Sequence, residues 1–591
     1  MRELGKEIIF NSISMTKGKE YKNTKLLNKQ AMCLKNLKTL SDDAYFDKFF
    51  EEIAGNRNTA HYVNENLFPS DCSMVGRYRE AGFSQNLKYE IRWNFKVFDC
   101  CAEILNAFIE LKEKYDVLIL KGKYQDAFQL LKKANEEYGC SLWYVENYIF
   151  LKKVLGEKDT FDSGRNFISS LVSFWEMRSA SEVSSRDYDY YVKREIAKYI
   201  NVYPEQVSLA SFYTYLIAPH AFEMTENSIM HILEYMYKMP LIDRYLFFVD
   251  ILEYALMQDA QCELRKSVVE YAHYLEKIKD GYVSTFLFVT SNSVDRNRFK
   301  VELSNVEIKD MFVEGRLLEA YNISKSILEN NPENIDNINL YVELAQILDA
   351  DTELDSLPQN VAIIIRSLSS IFSIDDSYND SIDKVYKIIF SCIHAKWARK
   401  LFNGITKTCQ PVDSPSQITA TRYFCFGELE IETVCEWLPS DDALDYFNSA
   451  QLPKSSYLEM RINCLKRNFA EAVSNSKNEN LNKLLLLENC YDVSVFKDIL
   501  EDKSISAIYL NRMAKIFWRN MKKGEYFVEG IDYFLKRFFT REEYAIIAPL
   551  EEFLDFVLSG EVKEKAELRT PILLYIYSAY FDRKKTSDLT I

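Results

Sequence analysis

The stretch Gly122–Ala134, read GKYQDAFQLLKKA, restricts this chain to one kind of local architecture. Tyr124, Ala127, Leu131 and Ala134 follow each other at steps of three and four residues, which places them on one face of a helix. Gly122 stands just before that helix, where a tight turn calls for a residue tolerant of positive φ. Small Ala127 lets a neighbouring helix come close, and Leu131 fills the space beside it. The same grammar returns at Gly315 (GRLLEAYNISKSILENNP), with Leu317, Ala320 and Ile327 in matching places. Pro332 closes that copy, because it lacks an amide donor and disfavours helix in the residue before it. A fainter copy, RNFAEAV, begins at Arg467.

Composition supports helices elsewhere. The 591 residues include only 16 Gly and 12 Pro, fewer than average usage supplies, so long helices with short connections are expected. Tyr (39) and Phe (38) are abundant and suit the seams between helices. The apolar stripe Phe46, Phe49, Phe50 and Ile53 predicts a short amphipathic helix after the caps in TLSDD. Ile91, Phe95, Phe98, Ala102, Leu105 and Ile109 predict one continuous helix over 87–111, and 142–155 predicts another that stops at Gly156. Pro219 and Pro240 fit the first turns of helices running to about 237 and 256. The segment 283–294 is the one strand candidate, with a buried helix end as its alternative.

The Gly-x-aromatic-x-x-Ala pattern resembles the second helix of the tetratricopeptide repeat, best at 122–139 and 315–332. The Trp and Leu-Gly signature of that repeat's first helix is missing, Leu317 and Ser324 depart from it in the second copy, and the copies lie further apart than one repeat of about 34 residues. The resemblance implies an all-α fold, an α-solenoid of stacked antiparallel hairpins, with an irregular N-terminal lobe. The expected organisation is N-terminal helices and a long polar loop over 1–86, helical-repeat regions over 87–290 and 291–410, and a C-terminal helical region over 411–591. In such a repeat the first helix lines the groove, which makes Lys112, Asp116 and Ile119 the expected partner-binding positions.

A net charge of −15 argues against a surface that coats nucleic acid, yet leaves room for a local basic patch. Arg512, Lys515, Arg519 and Lys522, interleaved with Tyr509, Met513, Ile516 and Phe517, form the best such patch for phosphate or RNA. Helix ends complementing their own dipole are the plainer account of those residues. The 12 Cys show no CxxC pair and no regular framework, and read as small buried apolar residues of a reducing compartment. No signal-peptide core and no apolar run of spanning length occurs; even 239–256 carries Asp243, Arg244, Asp250 and Glu253. A cytoplasmic location and no membrane partner are expected.

No phosphate-cradling glycine loop, nucleophile elbow or HExxH pair is present, and neither a cofactor nor a metal is expected. His220 and His231 share a helix face eleven residues apart without the further ligands a metal needs. DDSYNDSID at 375–383 lacks the central Gly and closing Glu of a calcium loop. GNRNTAHYV resembles the Arg-x(4–6)-His element of HEPN ribonucleases, with three residues between Arg57 and His61. The resemblance implies RNA cleavage with His61 as acid or base and Arg57 on the phosphate. The leading expectation is a non-catalytic interaction scaffold or adaptor subunit, whose partner is another protein of the same bacterial multi-protein system, antiphage defence included. RNA cleavage through Arg57 and His61, and a peptide or nucleotide sensor, are the alternatives.

Overall fold

The computed structural model describes residues 35–55, 60, 63, 67–76, 83–156, 161, 169–180, 207–217, 224–256, 258, 261–290, 306–348, 350–352, 354, 357–373, 378–391, 395–398, 400–402, 440–449 and 454–475. Among them all regular structure is helical and no strand occurs. No described helix is long and apolar enough to cross a membrane. The described residues fall into two compact units. One lies within Met1–Val301, Tyr386–Arg399 and Asp413–Leu429, the other within Glu302–Val385, Lys400–Val412 and Glu430–Ile591.

The first unit contains α1 (Asp43–Gly55), α2 (Leu87–Cys100), α3 (Ala102–Leu120), α4 (Tyr124–Tyr138), α5 (Leu142–Val154), α6 (Ser169–Ala180), α7 (Val207–Ile217), α8 (Glu226–Met236), α9 (Leu241–Leu256), α10 (Glu263–Tyr271) and α11 (Gly281–Thr290). Successive helices from α2 through α10 pack against each other, as consecutive hairpins do. Other contacts join helices far apart in sequence: α2 meets α10, and α9 meets α5 and α11. Helix α9 is the hub, with 14 of its 16 residues buried. A helix buried all round must be apolar on every face, and Leu241, Phe247, Phe248, Ile251 and Leu252 supply this. Rings from α2 meet it edge-on, Phe95 and Phe98 against Phe248 and Phe98 against Tyr245.

The α1 stripe is buried as its spacing predicts, with Phe50 packed edge-on against Trp93 of α2 at 5.0 Å. Charges complete that joint. The Arg92 guanidinium donates to Asp43 Oδ1 and to the carbonyls of Lys38 and Leu40, and lies 4.1 Å from the Phe46 ring. Lys38 pairs with Glu90 at 2.9 Å, both buried.

The second unit contains α12 (Val306–Val313), α13 (Leu317–Asn330), α14 (Ile335–Leu348), α15 (Gln359–Ser373), α17 (Ser440–Ser449), α18 (Ser456–Leu465) and α19 (Phe469–Ser474); α16 (Tyr378–Ser391) spans the residues where the two units divide. Helices α12 to α15 pack in succession, and α12 also meets α18. Between α13 and α14, buried Ser324 donates to Asn337 Oδ1 at 2.8 Å, and Asn337 Nδ2 donates back to the Ser324 carbonyl at 2.8 Å. The residue that stands where the first copy has Leu131 thus joins its neighbour by hydrogen bonds instead of by bulk.

The three motif copies share one turn. Gly122, Gly315 and Arg467 have φ of 71°, 76° and 57°. In each, the turn residue donates to the carbonyl three back, and the next residue to the carbonyl five back: Gly122 to Ile119 and Lys123 to Leu118, Gly315 to Phe312 and Arg316 to Met311, Arg467 to Cys464 and Asn468 to Asn463. These bonds satisfy the last carbonyls of the preceding helix. Five residues on, Ala127, Ala320 and Ala472 are each fully buried.

Several elements differ from the sequence expectation. The helix expected over 87–111 breaks at Cys101, whose φ of −106° and ψ of 14° leave helical geometry, with neither Gly nor Pro to announce it. The helix expected from Pro219 starts instead at Glu226, where Thr225 and Ser228 form a capping box. The strand candidate is helical through Thr290. Cys72 and Cys140, 68 residues apart and without any spacing signal, form a disulfide with Cα atoms 5.5 Å apart.

Gly139 has φ of +72°, and a Cβ there would collide with the Pro69 carbonyl oxygen and lie 2.9 Å from Phe68 C; Gly156 (φ +74°) has open space around it. Gly156→Ala is therefore expected to cost about 1–2 kcal/mol, the strain of the left-handed conformation alone. Gly139→Ala should cost clearly more, because backbone atoms must also move. Urea midpoints of the two variants check the order.

Candidate functional site

The residues expected to line a groove face inward. Ile119 is fully buried, and Lys112 and Asp116 are nearly so. Lys112 Nζ pairs with Asp116 Oδ2 at 2.7 Å, one helical turn on. Both line a small cleft of about 30 Å³, shared with Glu113 of α3, Tyr245 and Asp250 of α9, Asp280 and Tyr282 at the start of α11, and Lys396. Lys396 pairs with Glu113 at 2.9 Å, and the Trp397 indole donates to the Asp116 carbonyl at 2.8 Å. A segment some 280 residues downstream therefore closes the cleft, which no local sequence pattern could announce. Long-range packing places these first-helix positions at an interior joint with α9 and 395–398.

The cleft has room for water-sized guests. Its lysines are engaged by carboxylates, and burial beside Asp280 holds the Tyr245 phenol well above its ordinary range, so that it stays neutral. Asp250 accepts from the Tyr215 hydroxyl at 2.5 Å. Charge and a hydrogen bond tie 395–398 to α3, and Asp250 ties α9 to α7.

A second buried constellation lies at the N-terminus of α5. The first amides of a helix have no partner within it. Here Leu142 N and Trp143 N donate to Asp243 Oδ2 and Oδ1 at 2.7 and 3.0 Å, and Tyr144 N donates to Ser141 Oγ at 3.0 Å. Asp243 belongs to α9, so one carboxylate from the hub helix caps a helix that begins 101 residues earlier. Residues 67–69 close the joint: Cys140 N donates to the Pro69 carbonyl at 2.7 Å and Leu241 N to the Leu67 carbonyl at 3.0 Å. Burial outweighs the two amide bonds and raises the Asp243 carboxyl to about 7.

Among the described residues no group of three His, Cys, Asp or Glu converges on one point. His231 Nδ1 lies 2.9 Å from Ser208 Oγ, and the His273 ring lies tilted against that of Tyr274, 4.0 Å between centroids. His220, the ribonuclease-like pair Arg57 and His61, and the basic set Arg512, Lys515, Arg519 and Lys522 lie outside the described residues. Comparison of the chain with protein-family models, with curated proteins and with solved structures finds no match.

Two outcomes follow. Lys112→Met leaves the buried Asp116 carboxylate without its cation and is expected to cost about 3–5 kcal/mol, most of it recovered in Lys112→Met/Asp116→Leu. A double-mutant cycle from denaturant melts measures this. For Asp243, the folded chain holds a proton that the unfolded chain releases near pH 4, so its contribution is complete below that pH and is lost as pH rises to about 7. The slope is at most about 1.4 kcal/mol per pH unit. Melts of the native chain and of Asp243→Asn between pH 5 and 8 should differ by a slope of that sign, flatter in the variant.

Proposed function

We propose that this chain is a non-catalytic interaction scaffold built from tetratricopeptide-like helical hairpins stacked as an α-solenoid. In this reading it is an adaptor subunit that presents helix faces to another protein of the same bacterial multi-protein system, antiphage defence included. The observation that carries the reading is the thrice-repeated hairpin turn at Gly122, Gly315 and Arg467, with a fully buried Ala five residues after each. Repeated hairpins bury their seams against neighbours and leave faces free for partners.

The second hairpin offers such a face. Leu318, in the first turn of α13, is 64% exposed, the most of any large apolar side chain described. An apolar side chain so placed contributes to a partner contact once water leaves it.

The test is reconstitution. A protein that co-purifies with the tagged full-length chain from its host is produced separately, and the two are mixed. A complex of fixed stoichiometry by size-exclusion chromatography with light scattering is expected, weakened at least about tenfold by Leu318→Asp, a loss of roughly 1.4 kcal/mol. A chain that stays alone at micromolar concentration with every co-purifying protein would count against the reading.

A further inference from the structure

We propose that Cys72 and Cys140 form a reversible thiol–disulfide switch that locks the segment 67–76 onto the joint between α4, α5 and α9. Geometry places this site where opening and closing have structural consequences. The segment carries little regular structure of its own, a single 3-10 turn over Cys72–Met74 whose Ser73 amide is capped by Asp71 at 2.8 Å. Leu67 and Val75 anchor its ends in the interior, while Phe68 and Met74 remain more than a third exposed. Its contacts with the rest of the unit include the two backbone hydrogen bonds to Cys140 and Leu241 and the disulfide. The residues it clasps flank the Asp243 cap on both sides.

The two sulfurs differ in access. Cys140 is 1% exposed, whereas Cys72 is half-buried and lies on the outer segment. A dithiol reductant therefore reaches Cys72. Its thiolate attacks Cys72 Sγ, a mixed disulfide forms there, and the electron pair of the Cys72–Cys140 bond leaves on Cys140 sulfur, which takes up a proton. The second thiol of the reductant then attacks its own sulfur in the mixed disulfide. Cys72 departs and is protonated, and the reductant is released as a cyclic disulfide. The chain gains two electrons and two protons, and the dithiol loses the same. A disulfide oxidant reverses the sequence. Of the other described cysteines, Cys101 and Cys464 supply an internal reference, because burial pushes their thiols up to about 11 and disfavours the reactive thiolate at neutral pH.

In the reduced chain the segment keeps only its hydrogen bonds and apolar anchors, and it opens more often. Water then reaches the amides of Cys140 and Leu241.

The experiment uses the full-length chain without denaturant. It is treated with dithiothreitol, or with oxidised glutathione, and then alkylated and mapped by mass spectrometry; amide hydrogen exchange is followed on the same samples. Cys72 and Cys140 should resist alkylation in the oxidised chain, accept it after dithiothreitol, and resist it again after reoxidation. Exchange over 67–76, 139–143 and 241–243 should rise about tenfold on reduction while that of α13 and α14 stays constant. Cys72→Ser should show the exchange of the reduced chain with its helical circular dichroism intact. A pair that alkylates fully after oxidised glutathione, a disulfide that dithiothreitol opens only in denaturant, or equal exchange in both states of the native chain would each overturn the proposal. The comparison of the native chain's two states decides even if Cys72→Ser fails to fold.

Discussion

The Asp243 carboxylate is the interaction on which the first unit depends. Helix ends present amides that must find acceptors, and inside a protein no water supplies them. At α5 the acceptor is a carboxyl group of α9, which in its charged form carries the sign that the positive end of the helix dipole favours. The same solution recurs. Glu226, in the first turn of α8, accepts from Leu264 N at the start of α10 at 3.2 Å, and Asp310 of α12 accepts from Tyr457 N at the start of α18 at 3.1 Å. In each case a carboxylate fixes where one helix begins and also which distant helix stands beside it. Part of the chain's acidity thus serves as long-range capping.

This explains how α9 can hold charges at its centre. Asp243 has its amides, Arg244 reaches Asn94 of α2 at 3.4 Å, and Asp250 accepts from Tyr215 of α7. These three groups point to three different neighbouring elements, so the helix combines a largely apolar, buried surface with polar contacts of its own. Partnered polar groups of this kind specify which helix packs where, since a wrong neighbour would leave a buried charge without its acceptor or donor. Arg92 plays the same part for the N-terminal residues, binding two carbonyls and a carboxylate in one planar fork.

The hairpin turns work by a different means. Gly122 and Gly315 take positive φ at no steric cost, whereas Arg467 takes it against a preference and is held there by the same two backbone bonds. The buried Ala that follows each turn sets how closely the next helix approaches. A hairpin can therefore be recognised even when its glycine is gone, because the chain direction is set by hydrogen bonds that every residue type can make.

Local order was legible in the sequence because its causes are local. Residue periodicity placed Phe46, Phe49, Phe50 and Ile53 on one buried face; Gly122 and Gly315 marked turns; and the charges in 239–256 separated a core helix from a membrane span. Where a cause lay elsewhere in the chain, the sequence was silent. The break at Cys101 has no glycine or proline, the cleft at Lys112 and Asp116 is closed by Lys396 and Trp397, and Cys72 meets Cys140 only because residues 67–69 dock between Cys140 and Leu241. Sequence by itself determined that segments with three-and-four apolar spacing are helices and where glycine turns join them, since both follow from side-chain spacing and turn chemistry over a few residues. Tertiary structure alone decided which helix caps which, what stands inside and what stands out, and which sulfurs meet, since those depend on groups that approach only after distant helices have packed.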